Sequence, residues 1–138
     1  MLKLNNLFFT KNKEGKMEIK KILIIEDNEG IRKALEEILK EIIGISEVIT
    51  TKDGIEGVQR FFEYEPDVVI SDLNMPQQDG YITAQKIFAI SPSTPIIIAS
   101  GDIVIYEEKL PPNVIKIIKK PFTIQEIKKA IIEKITKI

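Results

Sequence analysis

The chain has 138 residues and a formal net charge of -1, from 20 Lys and Arg against 21 Asp and Glu. This balance excludes a strongly basic surface field, so we expect no direct binding to nucleic acid. Cys and His are both absent, which excludes disulfides, thiolate or imidazole metal ligands and histidine-based catalytic triads. The chemistry that remains is that of carboxylates, hydroxyls, amides and amines.

The length fits one domain, and a composition of 43% hydrophobic and 30% charged residues is typical of a globular protein. The apolar runs are too short to cross a membrane, and no secretory signal is present, so we expect a cytoplasmic protein without membrane contact. Residues 1–17 are polar and largely aperiodic. We expect them to be a flexible leader or a misassigned start before Met17, with the folded domain at residues 18–138.

Short apolar runs recur along the chain and predict buried strands. They are Lys20–Ile25, Glu47–Thr50, Val68–Ser71, Ile96–Gly101 and Val114–Ile118.

Helical spacing of apolar residues predicts the connecting elements. The predicted helices are Gly30–Ile43, Asp53–Phe62, Gly80–Ile90, a short one within Ile103–Leu110, and a last one that Thr123 and Glu126 begin as a capping box. The expected core positions are Ile31, Leu35, Ile38 and Ile42; Ile55, Val58, Phe61 and Phe62; Ile82, Ile87 and Ile90; and Ile124, Ile127, Ile131, Ile135 and Ile138. Five strands alternating with five helices predict right-handed crossovers and a doubly wound parallel sheet with helices on both faces.

Polar residues follow the strands where each one ends, and parallel strands place them at one edge of the sheet. They are Glu26 and Asp27 after the first strand, Asp72 and nearby Asn74 after the third, Ser100 at the end of the fourth, and Lys120 after the fifth. Taken singly, each is commonly a turn residue or a solvated helix start. Together, the carboxylates suit Mg²⁺ and the ammonium suits a phosphoryl group, with Asp72 as the natural acceptor.

These stretches resemble the receiver domain of two-component response regulators. The resemblance covers Ile19–Ile138 and rests on motifs that occur in the order of that family. They are Ile22 to Asn28, Pro66 to Pro76, Gly80, Ala99 to Gly101, and Lys120 to Phe122. The resemblance implies a flavodoxin-like fold, with a five-stranded parallel sheet in the order 2-1-3-4-5.

The resemblance also implies roles for the residues at the strand ends. Asp72 would accept the phosphoryl group, and Ser100 and Lys120 would bind its oxygens. Glu26 and Asp27 would hold Mg²⁺ directly or through water, together with Asp72 and the backbone carbonyl of Asn74. Such a domain is no enzyme acting on a separate substrate, because it catalyses only its own phosphorylation and dephosphorylation.

The implied partners are a sensor histidine kinase or a histidine phosphotransfer protein, and a downstream protein target. We expect a stand-alone receiver that is a monomer or a weak, phosphorylation-dependent dimer.

Two features depart from the family pattern. Ile117 stands where the family usually has Tyr or Phe, and the segment Asp102–Asn113 is short and ends in prolines. They keep open an alternative, a pseudo-receiver that acts as a phosphate-independent interaction module. A haloacid-dehalogenase-type phosphatase is disfavoured because position 74 is Asn rather than a second Asp. A dinucleotide site is disfavoured because an acidic first turn would repel pyrophosphate.

Overall fold

The computed structural model describes Thr10–Lys11 and residues 17–135, and five of its strands form one parallel sheet. The strands are β1 (Lys21–Ile25), β2 (Glu47–Thr51), β3 (Val68–Ser71), β4 (Ile96–Ser100) and β5 (Val114–Lys119). Their order is β2-β1-β3-β4-β5, which confirms the predicted fold class. Each predicted strand is present within one residue of its expected ends.

Thr10–Lys11 and Met17–Glu18 form a separate antiparallel pair of two-residue strands. The rest of the predicted leader, residues 1–9 and 12–16, lies outside the described residues. Its flexibility and the domain boundary near residue 18 therefore stay predictions.

Four helices connect or follow the strands. They are α1 (Glu29–Glu37), continued by a wider π-helical turn at Ile38–Ile43; α2 (Gly54–Tyr64); α3 (Gly80–Ile90); and α4 (Ile124–Lys129), continued by a π-helical turn at Ala130–Ile135. Each begins at a residue whose side chain accepts a hydrogen bond from a backbone N–H of the first turn, namely Asn28, Asp53, Asp79 and Thr123. The capping box of Thr123 and Glu126 is confirmed. No helix of the described segments is long and apolar enough to span a membrane.

The sheet has a hydrophobic cluster on each face, because successive strand residues point to opposite sides. In β1, Ile22 and Ile24 pack with residues of α1 and α4, whereas Leu23 and Ile25 pack with residues of α2 and α3. The prediction of helices on both faces is therefore confirmed. Burial of β1 and β3 on both sides explains why their sequences are continuous apolar runs.

The predicted fourth helix is wrong in extent. Within residues 102–113 the structure has only a 3₁₀ turn at Glu107–Lys109. Pro111 and Pro112 follow after Leu110, and proline lacks the backbone N–H that another helical turn requires. The molecule therefore has four helices among its described residues, not the expected five.

Some predicted core positions are also wrong. On α3, Ile87 is buried, but Ile82 is 49% and Ile90 44% exposed. The other buried side chains of this helix are Ala84 and Thr83, and Thr83 packs closely against Gly54 at the start of α2. The same correction applies to other large apolar residues that the structure leaves exposed, namely Ile42, Ile55, Phe62 and Ile124. Small residues lie where α3 packs closely against its neighbours, and apolar periodicity alone does not detect such a face. The side chains of Ile135 and Ile138 lie outside the described residues.

Candidate functional site at the carboxyl edge of the sheet

The register of the sheet brings the ends of β1, β3, β4 and β5 to one edge. The Asp72 backbone N–H donates to the Ile25 carbonyl at 3.0 Å, which aligns the ends of β1 and β3. The Lys120 backbone N–H donates to the Ser100 carbonyl at 2.9 Å, which aligns the ends of β4 and β5. Topology thus places the predicted site residues at the edge where ligands bind in open α/β sheets.

Asp72 is a buried carboxylate with a partner on each oxygen; it is only 5% exposed. Its Oδ1 accepts hydrogen bonds from the backbone N–H groups of Leu73 at 2.7 Å and Asn74 at 3.2 Å. Its Oδ2 accepts one from Lys120 Nζ at 3.0 Å. Backbone amides fix the orientation of the carboxylate and leave Oδ2 facing the ammonium.

The turn after Asp72 is held by a close approach of α3. The Gly80 N–H donates to the Leu73 carbonyl at 2.7 Å. A Cβ atom at position 80 would overlap the Asp72 carbonyl oxygen and the Leu73 Cα, so only glycine fits. The Asp72 backbone and the start of α3 are therefore packed as one unit.

Lys120 connects Asp72 to a second buried carboxylate. Its Nζ lies 2.7 Å from Glu26 Oε1, and Glu26 is 1% exposed. Glu26 Oε2 also accepts a hydrogen bond from the Asn28 N–H at 3.1 Å. The Lys120–Pro121 peptide bond is cis. One ammonium thus bridges two carboxylates that are both removed from solvent.

Burial and ion pairing have opposite effects on the pKa values of Glu26 and Lys120. Burial raises the pKa of Glu26 above its ordinary value, and the hydrogen bonds from Lys120 and the Asn28 N–H only partly offset that effect. For Lys120, burial alone would lower the pKa. The hydrogen bonds to Glu26 and Asp72 and the negative charges of these two carboxylates together outweigh burial, so the pKa of the ammonium is raised. The pair of carboxylates therefore holds Lys120 in its charged form.

Asp27 completes an acidic cluster with these two residues. One carboxylate oxygen from each of Glu26, Asp27 and Asp72 lies within 4.8 Å of the other two, and Asp27 is exposed. Three hard oxygen donors open to solvent on one side form a donor set that fits Mg²⁺, which keeps several waters. Asn74 is exposed at the same edge. The use of its carbonyl as a ligand stays a prediction.

Ser100 is fully buried at the end of β4, and its hydroxyl is tied to the following loop. Its Oγ accepts a hydrogen bond from the Asp102 N–H at 3.1 Å. Lys119 donates from Nζ to the Asp102 carbonyl at 2.6 Å and, more weakly, to the Ile103 carbonyl at 3.4 Å. The structure therefore places Ser100 at the predicted edge but hydrogen-bonds it to this loop rather than to the carboxylates.

Two basic residues near the site were missed by the sequence analysis. Lys119 holds the loop after β4, as just described, and Arg32 of α1 donates to the carbonyls of Glu26 at 2.8 Å and Asp27 at 3.3 Å. Arg32 lies outside the apolar positions from which the first helix was predicted, so the periodicity gave it no role. Its role could have been inferred from its position in the first turns of α1, the helix that directly follows Glu26 and Asp27.

Comparison with known proteins gives a consistent result. The family model of the response regulator receiver domain matches residues 22–132. The probable C4-dicarboxylate response regulator DctR of Priestia megaterium is 31% identical over 112 residues, which cover 80% of this chain and 49% of that protein. A protein-glutamate methylesterase/protein-glutamine glutaminase of Symbiobacterium thermophilum is 38% identical over 81 residues, covering 59% of this chain and 22% of that protein. The chain thus spans about half or less of the curated relatives it matches.

Solved structures are similar over nearly their whole length. A response regulator receiver domain protein from Clostridium thermocellum has 32% identity and a TM-score of 0.72, with 85% of this chain and 94% of that chain covered. The chemotaxis protein CheY4 of Vibrio cholerae has 25% identity and a TM-score of 0.74, with 85% and 99% covered.

Proposed function

Because the chain belongs to the response regulator receiver domain family of two-component systems, we propose that it accepts a phosphoryl group on Asp72 from a phosphohistidine of a partner protein. One observation carries the proposal. Asp72 Oδ2 lies 3.0 Å from Lys120 Nζ, in a cluster that also holds Glu26 and Asp27. A buried nucleophilic carboxylate beside a cation, with further oxygen donors, is what phosphoryl transfer onto aspartate requires.

The two carboxylate oxygens of Asp72 have different roles in the proposed transfer. Oδ1 is occupied by two backbone N–H donors, so Oδ2 is the nucleophile. A new bond forms between Oδ2 and phosphorus as the nitrogen–phosphorus bond of the donor breaks. The electron pair of that bond returns to the imidazole nitrogen, which takes up a proton. Histidine and an aspartyl phosphate are the products.

Lys120 and Ser100 would bind the transferred group. The Lys120 ammonium already contacts Oδ2, so it can neutralise charge on a phosphoryl oxygen attached there. The Ser100 hydroxyl can donate to another oxygen, because its recorded hydrogen bond uses it as an acceptor. Glu26, Asp27, Asp72 and the carbonyl of Asn74 would hold Mg²⁺. The bound ion supplies positive charge close to the phosphoryl oxygens.

Partner proteins supply the phosphoryl group and receive the signal. The phosphoryl donor is a sensor histidine kinase or a histidine phosphotransfer protein, and output is by contact with a downstream protein in the cytoplasm. The domain acts on no separate substrate and contacts neither nucleic acid nor membrane directly. It is a monomer or a weak dimer that phosphorylation promotes.

Phosphorylation by a small donor tests the proposal. The full chain is incubated with Mg²⁺ and acetyl phosphate and examined by intact-mass spectrometry. We expect one base-labile phosphoryl group on the wild-type chain and none on Asp72→Asn, which keeps the shape of the side chain but removes the nucleophile. A label on Asp72→Asn would refute the assignment of the acceptor.

The second candidate is a pseudo-receiver, a phosphate-independent interaction module. It is favoured by the segment at residues 102–113, which has only a single 3₁₀ turn. It is also favoured by Ile117, which is partly buried against the core where the family usually has an aromatic residue. Failure of the folded wild-type chain to gain any phosphoryl group in the same experiment would favour this candidate.

A further inference from the structure

We propose that Arg32 is a positioning residue that fixes Asp27 for the divalent cation, an inference that rests on the proposed magnesium site and extends it. The Arg32 Nη1 donates to the Glu26 carbonyl at 2.8 Å and, more weakly, to the Asp27 carbonyl at 3.3 Å. Arg32 is itself half-buried and lies one turn beyond Asn28, which caps α1. A rigid helix is thereby joined to the two peptide units that carry the acidic pair.

The three carboxylates of the cluster differ in how they are held. The Asp72 carboxylate has three hydrogen-bond donors, and the Glu26 carboxylate has the Lys120 ammonium and the Asn28 N–H. The Asp27 side chain is exposed and has no recorded hydrogen bond or ion pair in the described part of the chain. The position of the Asp27 side chain is therefore set by its backbone, and Arg32 holds that backbone by a hydrogen bond to the Asp27 carbonyl. Asp27 is the member of the cluster that depends most on such a support.

Charge and position predict opposite effects of removing Arg32. A guanidinium close to the cluster repels a divalent cation, so loss of its charge alone would tighten Mg²⁺ binding. Loss of its hydrogen bonds frees the Asp27 peptide, which weakens binding, because outer residues that orient ligands are needed for full metal affinity. The positioning effect is the larger one, because the Asp27 carboxylate has no hydrogen-bond partner among the described residues and the Asp27–Asn28 peptide unit is held by two hydrogen bonds. One comes from Arg32 to its carbonyl, and the other goes from its N–H to Glu26 Oε2.

Mg²⁺ titration of the full chain, followed by the backbone amide signals of the acidic loop in NMR spectra, tests this inference. Arg32→Met is expected to raise the dissociation constant for Mg²⁺ about tenfold. Lys33→Met is the matched control: it removes one positive charge from the neighbouring position, where Lys33 forms an exposed ion pair with Glu29 at 3.3 Å. The control is expected to bind Mg²⁺ as tightly as the wild type or slightly more tightly. Arg32→Lys, which keeps the charge and one potential donor, should lie between Arg32→Met and the wild type.

The outcomes separate this inference from the proposed function. If Arg32→Met binds Mg²⁺ as tightly as the wild type or more tightly, the positioning role is refuted while the magnesium site stands. If the wild-type chain shows no Mg²⁺-dependent shifts, the magnesium site fails and the inference fails with it. Thermal unfolding checks that each variant is folded. Should Arg32→Met be unfolded, an Arg32→Lys variant with wild-type affinity would refute the role.

Discussion

At the scale of single residues, the site is held together by one ammonium shared between two buried carboxylates. Lys120 contacts Glu26 at 2.7 Å and Asp72 at 3.0 Å, and their side chains are only 2% and 6% exposed. Removing one partner of a buried ion pair is costly, because the remaining charge has lost its solvation and its counter-ion. Lys120 therefore stabilises the fold before it binds any phosphoryl group.

The Lys120→Met variant tests this structural role. We expect it to fold but to lose about 3 kcal/mol of unfolding free energy at neutral pH, because two carboxylates are left buried together. Lys116→Met, which removes a charge from an exposed position of the same strand, is the control and should change stability by less than about 0.5 kcal/mol. Urea unfolding measures both, and equal stability of Lys120→Met and the wild type would contradict the expectation.

The raised pKa of Glu26 predicts a pH dependence of stability. Its pKa in the folded chain lies above the ordinary value of 4.5, so the folded chain binds this proton more tightly than the unfolded chain. The resulting stabilisation is complete below about pH 4.5 and is lost as the pH rises through the folded-state pKa. The unfolding free energy of the wild type, minus that of Glu26→Gln, should therefore fall as the pH is raised from mildly acidic to neutral. A difference that is constant or grows over this range would contradict the assignment.

At the scale of elements, the start of α3 and the end of β3 are fitted to each other around the site. The fit depends on Gly80, whose missing Cβ lets the helix approach the backbone of Asp72 and Leu73. The obstacle to any side chain is backbone rather than a flexible group, so no local rotation relieves it. The position of Asp72 is therefore coupled to the packing of a whole helix.

Gly80→Ala tests this coupling against a matched glycine. A methyl group at Gly30, near the start of α1, would meet only the Asn28 side chain, at an ordinary 3.4 Å. Gly30→Ala should leave stability unchanged or raise it by up to about 1 kcal/mol, since alanine favours helix. Gly80→Ala should instead lower stability by about 2 kcal/mol, through steric overlap in a packed region. Urea unfolding of each variant measures these changes. Similar changes in the two variants would argue against the close approach of α3 to the backbone of Asp72 and Leu73.

The segment between β4 and β5 is the element that departs most from the predicted pattern. Its 3₁₀ turn is attached to α3 by side chains: the Tyr106 N–H donates to Tyr81 Oη at 2.9 Å, and the Gln85 amide donates to the Lys109 carbonyl at 3.0 Å. Ile103 is nonetheless 94% exposed. A short tethered loop with apolar residues toward solvent thus stands where the sequence analysis expected a helix.

At the scale of the whole molecule, the strand order explains why distant residues form one site. The order reverses between β1 and β3, which are neighbours in the sheet although β2 lies between them in the chain. Ligands bind at such a point, beyond the carboxyl ends of the strands. Glu26 follows β1 and Asp72 follows β3, so both carboxylates lie beside the reversal. Lys120 follows β5, at the far side of the sheet, and its side chain is long enough to contact both carboxylates.

The strands, and the edge of the sheet at which the polar residues after them lie, could be predicted from local sequence alone. Buried parallel strands are continuous apolar runs, and the first charged residue after each run marks the edge of the sheet. For this reason Glu26, Asp27, Asp72 and Lys120 could be predicted to meet. The capping box at Thr123 was predictable because it involves only neighbouring residues.

The pairing of those residues and the choice of buried helix faces depend on long-range packing. Lys120 and Asp72 are 48 residues apart, and the contact depends on strand register and side-chain reach, which no local pattern contains. Thr83 is buried in place of Ile82 because α3 packs closely against the start of α2, where a Cβ atom at Gly54 would overlap the Thr83 hydroxyl. The hydrogen bonds from Arg32 to the carbonyls of Glu26 and Asp27 also depend on packing, because they require α1 to leave the sheet at a suitable angle. Local sequence fixes what a residue can do chemically, whereas packing fixes which neighbours it meets.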